Sequence, residues 1–145
     1  MGLGCGVLGP RAKRWFVEQA RPEYLDAVGD YRSLTVWQEA RLLAGQVYRI
    51  ARSLPDLERY GLASQLRRAS VSIISNIAEG SGRGSDREFV YFLRIARGSL
   101  HELQTQLILA IDLGYADELE MHATMHRADR VGRLIHGLAR TLERR

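Results

Sequence analysis

Residues 58–114 read ERYGLASQLRRASVSIISNIAEGSGRGSDREFVYFLRIARGSLHELQTQLILAIDLG, and this stretch decides the fold. Leu62, Leu66, Ala69, Ile73 and Ile77 recur at intervals of three and four, which places them on one stripe of a helix from about Glu58 to Glu79. The segment GSGRGS at 80–85 then interrupts the pattern. Ser85 followed by Glu88 predicts a capping box, in which the hydroxyl and the carboxylate each satisfy an unpaired backbone N–H. A third helix follows to about Leu113, with Phe89, Phe92, Ala96, Leu100, Leu103, Leu107 and Ile111 predicted to face inward. Gly114 ends it.

The same period extends in both directions. Upstream, Val36, Ala40, Leu43, Val47, Ile50 and Leu54 mark a first helix from about Leu34 to Leu54. Downstream, Asp117 and Glu120 predict a second reciprocal cap. A fourth helix runs from there to about Leu142 on Met121, Met125, Ala128, Val131, Ile135, Leu138 and Leu142. Pro10, Pro22 and Pro55 are the three prolines, so no helix breaker of that kind follows position 55. Strand-type alternation is absent and the joins are short. The predicted class is therefore all-α, an antiparallel up-down-up-down four-helix bundle over residues 31–145. Residues 1–30 hold seven Gly or Pro and read as a poorly ordered or loosely attached extension, with at most a short helix near Trp15 to Ala20. An upstream start codon would also produce such a segment.

Bulk properties narrow the function. The chain has 145 residues, room for one core, and its 46% hydrophobic and 26% charged content is ordinary for a globular domain. The uncharged run Leu103 to Ile111 is far too short to span a bilayer. The opening MGLGCGVLGP has neither a secretory signal's basic start nor the myristoylation pattern, so the expected location is cytoplasmic. Cys5 is the single cysteine, and no role is assigned to it. The net charge of +4 is uneven, because residues 59–97 alone carry seven arginines against three acids. Twenty of the 21 basic residues are Arg, whose planar fork suits phosphate, although a GC-rich genome gives the same bias.

Some apolar residues exceed what one bundle needs. Tyr91, Ile95, Leu109 and Leu113 fall about 90–130° from the main stripe of the third helix. Val71 and Ile74 do the same on the second, and Trp37, Ala44 and Tyr48 on the first. Burying four such side chains could favour association by roughly 6–12 kcal/mol before entropy costs. Trp37, Tyr48, Val71, Ile74, Tyr91, Ile95 and Leu109 are therefore the expected oligomer interface, and a wide single-chain core is the alternative.

The polar candidates are weighed in the same way. Asn76 and Glu79 lie one turn apart near the core stripe, with Arg68, Ser72 and Ser99 as donors. A catalytic acid is one reading; a polar network of Arg68, Asn76, Glu79 and Ser99 that fixes helix register is the other and is preferred, because no nucleophile or metal set accompanies it. GSGRGS lacks the Walker lysine and follows a helix, but it leads to a helix start flanked by Arg83 and Arg87, where an anion could sit on free N–H groups. A flexible turn is the plainer reading. His122 and His126 at i, i+4, with Glu118 a turn earlier, have zinc-compatible spacing, yet the sequence is not HExxH and a solvated face is expected, with no metal. Arg130, Arg133, His136 and Arg140 share that face within about 120° on a helical wheel. With Arg83, Arg87, Arg94 and Arg97 these arginines are the candidate phosphate contacts, against a solvated face tempered by Asp129 and Glu118.

The run from Tyr31 to Tyr115 resembles a known family. It contains LTVWQEA at 34–40, ERYGLASQLRRASVSIISNIAEGSGR at 58–83 and EFVYFLRIARGSLHEL at 88–103. That combination is similar to the bacterial four-helix-bundle proteins first noticed as reading frames inside intervening sequences of 23S ribosomal RNA genes. The fourth helix matches only in character, and residues 1–30 not at all. The resemblance implies an antiparallel four-helix bundle, a homopentameric ring and no known catalytic activity. A more distant likeness is to the accessory protein of diversity-generating retroelements, a basic ring that partners a reverse transcriptase and nucleic acid. The expected partners are copies of the chain itself and RNA or DNA, with no membrane, cofactor or small-molecule substrate. The alternative is a protein-interaction scaffold without nucleic-acid contact, and no constellation supports an enzyme.

Overall fold

The computed structural model describes residues 30–145, so the expectations for the N-terminal extension lie outside the described residues. Four helices follow one another: α1 (Thr35–Ser53), α2 (Leu62–Ser81), α3 (Asp86–Asp112) and α4 (Glu118–Glu143). Short 3₁₀ turns occupy Tyr31–Ser33 and Asp56–Glu58, and no strand occurs among the described residues. Each helix packs on its two neighbours, with α4 closing against α1, while the backbones of the diagonal pairs stay farther apart. This is the antiparallel up-down-up-down four-helix bundle that the periodicity predicts. None of these helices is long and apolar enough to cross a membrane.

The stripes meet at the centre. Leu43, Val47 and Ile50 of α1, Leu66, Ile73 and Ile77 of α2, Leu103 and Leu107 of α3, and Met121 and Val131 of α4 are all completely buried. Each contributes roughly 1.5–3 kcal/mol through removal of apolar surface from water. The buried hydroxyls stay satisfied inside their own helices: Thr124 donates to the Glu120 carbonyl and Ser70 to the Arg67 carbonyl, both at 2.8 Å.

Three local expectations are corrected. The second helix begins at Leu62, not Glu58, because Glu58 stays in the 3₁₀ turn and its carboxylate accepts from the Leu62 N–H at 2.9 Å. Both caps are half-formed. Ser85 accepts from the Glu88 N–H at 3.2 Å, but the Glu88 carboxylate takes the Ser85 hydroxyl at 3.0 Å instead of reaching the backbone. Asp117 accepts from the Leu119 N–H at 3.0 Å, while Glu120 turns to Arg49 at 3.7 Å.

The inward face of α3 also begins differently. Val90 and Leu93 enter the core, and Phe89 and Phe92 are only half-buried beside it. The aromatics lie against Gly80 near the end of α2, where an added Cβ would come within 2.7 Å of the Phe92 Cβ and 2.8 Å of Phe89. Gly80 thus lets α2 and α3 close on each other. At the far end of α3, Gly114 adopts φ +70°. Its N–H donates to the Ile111 carbonyl at 2.9 Å and that of Tyr115 to Ala110 at 3.0 Å, the paired bonds of a Schellman stop.

Candidate functional site

Arginines concentrate along the groove between α3 and α4. Two clefts lie in it, of about 320 and 520 Å³, and they share Arg97 and His136. Arg94 and Arg97 stand on the α3 wall, and Arg133 and Arg140 on the α4 wall. Two carboxylates, Asp129 and Glu143, oppose these four guanidinium groups, so the lining has a formal excess of two positive charges. His101 joins the α3 wall, a residue that the sequence reading passed over.

The two acids are engaged lightly. Glu143 pairs with Arg94 at 3.0 Å, but the side chains remain 45% and 65% exposed. A pair so wetted contributes at most about 1 kcal/mol, so a phosphate can replace Glu143 at little cost. Asp129 accepts from Gln104 at 2.8 Å. Arg87, Arg97, Arg133 and Arg140 are exposed, and none forms an ion pair among the described residues.

Three predicted phosphate contacts are placed elsewhere. Arg130 turns toward α1, where it meets the Glu39 carboxylate at 3.5 Å, so it is no part of the groove. The same carboxylate, only 14% exposed, binds Arg127 at 2.7 Å, and Arg127 also donates to Gln46 at 3.0 Å. This clasp joins α1 to α4 and was not anticipated. Arg83 pairs with Glu79 one turn back and covers the Phe92 ring at 4.9 Å. Arg87 lies beside it at the start of α3, but Asp86 and Glu88 already complement that helix end with negative charge. His122 and His126 are exposed and outside both clefts. No three metal-ligating side chains converge among the described residues.

The polar network on α2 and α3 is smaller than expected. Ser72 and Ser99 share a hydrogen bond at 2.7 Å, and the Asn76 amide donates to the Ser72 carbonyl at 2.8 Å. Glu79 is outside it, because its half-exposed carboxylate takes Arg83. Arg68 is exposed and forms no hydrogen bond in this network, although it lines a cleft together with Tyr48, Val71 and Ser72.

The surplus apolar residues divide into two groups. Tyr91, Ile95, Leu109 and Leu113 on α3 are 60%, 37%, 46% and 49% exposed, and Val71 on α2 is 44% exposed. Tyr48 on α1 is also exposed. Ala44, by contrast, is core, while Trp37 and Ile74 are half-buried against it. Trp37 is further occupied by an edge contact with Tyr31 at 5.3 Å and by Arg41 at 5.7 Å. Because the α3 residues are already about half-covered, full burial would favour association by roughly 3–6 kcal/mol, half the estimate for wholly wet side chains.

The opposite end of the bundle is tied by one carboxylate. Glu58, besides capping α2, accepts from the Tyr115 hydroxyl at 3.2 Å and so links the α1–α2 and α3–α4 joins. The Tyr115 phenol is held above its ordinary range by partial desolvation first, then by that hydrogen bond and the charge of Glu58.

Comparison with known proteins finds likeness both to a sequence family and to solved structures. A family model described as 23S rRNA-intervening sequence protein matches residues 32–137. Among solved structures, the chain is similar to a protein of unknown function from the S23 ribosomal protein family of Bacteroides thetaiotaomicron VPI-5482. The two share 20% identity over 72% of this chain and 98% of that one, with a TM-score of 0.68, a likeness that concerns the fold alone. No curated protein matches.

Proposed function

The chain belongs to the 23S rRNA-intervening sequence protein family, and from that premise we propose that it acts without catalysis, as a homo-oligomer that binds structured RNA or DNA. The observation that carries nucleic-acid binding is the α3/α4 groove, with arginines on both walls and only lightly held carboxylates between them. Guanidinium groups spaced along α3 and α4 suit a backbone of repeated phosphates. The contacts are sequence-tolerant and release counterions, so affinity falls steeply with salt.

Self-association rests on the exposed α3 residues Tyr91, Ile95, Leu109 and Leu113, together with exposed Val71 on α2. The family resemblance implies a pentamer. Repeating one groove in each copy would turn weak single contacts into avidity. Arg94, Arg97, Arg133 and Arg140 are the residues assigned to this surface; Arg130 is left to the α1–α4 clasp, and Arg83 and Arg87 to the α2–α3 turn. The compartment that fits such a protein is the cytoplasm.

A gel-shift titration tests the proposal, with a folded RNA hairpin and a duplex DNA at about 50 and 200 mM salt. Retardation at the lower salt that weakens by orders of magnitude at the higher is expected. Absence of any shift at about 50 mM overturns the nucleic-acid reading and favours a protein-interaction scaffold. Mass by light scattering tests the assembly: a monomer at micromolar concentration refutes it.

A further inference from the structure

The end of the bundle that carries the α1–α2 and α3–α4 joins differs from the rest of the surface. Leu57, Tyr60 and Leu119 are 77%, 87% and 79% exposed, more than any other large apolar side chain among the described residues. All three lie at this end, where Glu58 of one join accepts from Tyr115 of the other and Arg49 of α1 reaches Glu120 of α4. Join residues are ordinarily polar, and none of the three packs on the core. Nor is the first join slack. Glu58, Arg59 and Gly61 donate backbone N–H groups to the carbonyls of Pro55, Asp56 and Glu58 at 2.9, 3.1 and 3.0 Å. The Arg67 guanidinium also holds the Arg59 carbonyl at 3.3 Å.

Charge sets this end apart as well. Residues 54–61 and 112–120 carry six acids against Arg59 alone, a net of −5 in a chain whose total is +4. Glu58 and Asp117 cap helices and Glu120 holds Arg49. Asp56, Asp112 and Glu118 are exposed and form no ion pair among the described residues. Arg59, the one base, lies over the Tyr60 ring at 5.5 Å.

We propose that this end docks a cationic amphipathic segment of another protein, one that sets apolar side chains among lysines or arginines. Wet apolar anchors on a tied backbone suit such a partner, because little ordering is left to do on binding. The carboxylates around them select a basic segment and speed its approach. Nucleic acid, an anionic bilayer, or the same end of a second copy would each meet like charge here. The face shares no residue with the arginine groove, so one subunit can hold both ligands at once.

The test is fluorescence anisotropy of a labelled synthetic peptide of leucine and lysine at helical spacing, titrated with the full chain. One control peptide has glutamate for every lysine, and a second has serine for every leucine. Wild type is expected to bind the leucine–lysine peptide about tenfold or more tightly than either control. Leu57→Ser combined with Leu119→Ser should lower that affinity about tenfold or more. Both positions are outside the core, and a thermal melt confirms that the fold is kept. Asp56→Asn combined with Asp112→Asn should weaken binding severalfold and reduce its salt dependence. Tyr91→Ser combined with Ile95→Ser, on the α3 stripe, should leave it nearly unchanged. A leucine double variant that binds like wild type overturns the proposal, as does equal binding of the three peptides or of none. A leucine double variant of lower mass by light scattering also overturns it, and assigns the end to a second copy. Retardation of nucleic acid by that variant, as by wild type, shows that the groove reading stands whichever way the peptide result falls.

Discussion

Gly80→Ala puts the packing of α2 on α3 to a direct test. In most helices this substitution is favourable, because alanine has the higher propensity by about 1 kcal/mol. Here the new methyl would lie 2.7 Å from the Phe92 Cβ and 2.8 Å from Phe89 Cδ2. Carbon atoms in good contact are about 3.5–4.0 Å apart, so the surfaces must separate by about 1 Å. The Phe89 ring can turn aside, but the Phe92 Cβ is fixed to its backbone and moves only if α3 moves. Overpacking of this kind costs about 1–3 kcal/mol, and a backbone-anchored clash belongs in the upper part of that range. Net destabilisation is therefore about 1–2 kcal/mol, a fall in melting temperature of about 3–10 °C for a domain of this size. Helical circular dichroism through a thermal melt reads it. Gly45→Ala is the control, since a Cβ there meets nothing within 4 Å and should raise stability by up to about 1 kcal/mol. A Gly80→Ala protein that melts at or above wild type would refute the close approach of the two helices.

Three other outcomes follow from the same structure. Glu39→Ala leaves the half-buried Arg127 without its carboxylate and should cost about 1–3 kcal/mol in a urea titration, whereas a change below a few tenths would show that the clasp is idle. Tyr115 is neutral when protonated and its folded value is raised, so its contribution is complete below the ordinary phenol value near 10 and is lost as pH climbs through the higher folded value. Tyr115→Phe should accordingly melt lower than wild type at pH 8, with the gap closing in strongly alkaline buffer; a gap that widens there contradicts the Glu58 contact. Tyr91→Ser combined with Ile95→Ser removes exposed apolar surface and should reduce the mass seen by light scattering, with the monomer fold intact by circular dichroism. An unchanged oligomer would place the contact elsewhere.

The helices and most of the core were legible in the sequence because burial leaves a period, as Leu43, Val47 and Ile50 or Leu66, Ile73 and Ile77 show. The start of α3 was harder. Phe89 and Phe92 compete there with Val90 and Leu93 at equal hydrophobicity, and the deciding fact is Gly80 on another helix. Charged positions were harder still. A helical wheel measures how far a residue lies from the core stripe, but it does not say which neighbour flanks that side. Arg130 and Arg133 therefore looked equivalent, although one meets Glu39 on α1 and the other lines the groove with α3. The Glu39–Arg127 pair joins residues 88 positions apart, and no local pattern announces it.

That separation has a kinetic meaning. The contacts of α2 with α3, and of each helix with the next, close short loops and can form early. Docking α1 on α4 joins the two extremes of the bundle and closes the longest loop, so the Glu39 clasp belongs to the late, downhill side of the folding barrier. Weakening it should quicken unfolding and leave the refolding rate nearly untouched. The clasp would then govern how long a folded subunit persists, more than how fast it forms.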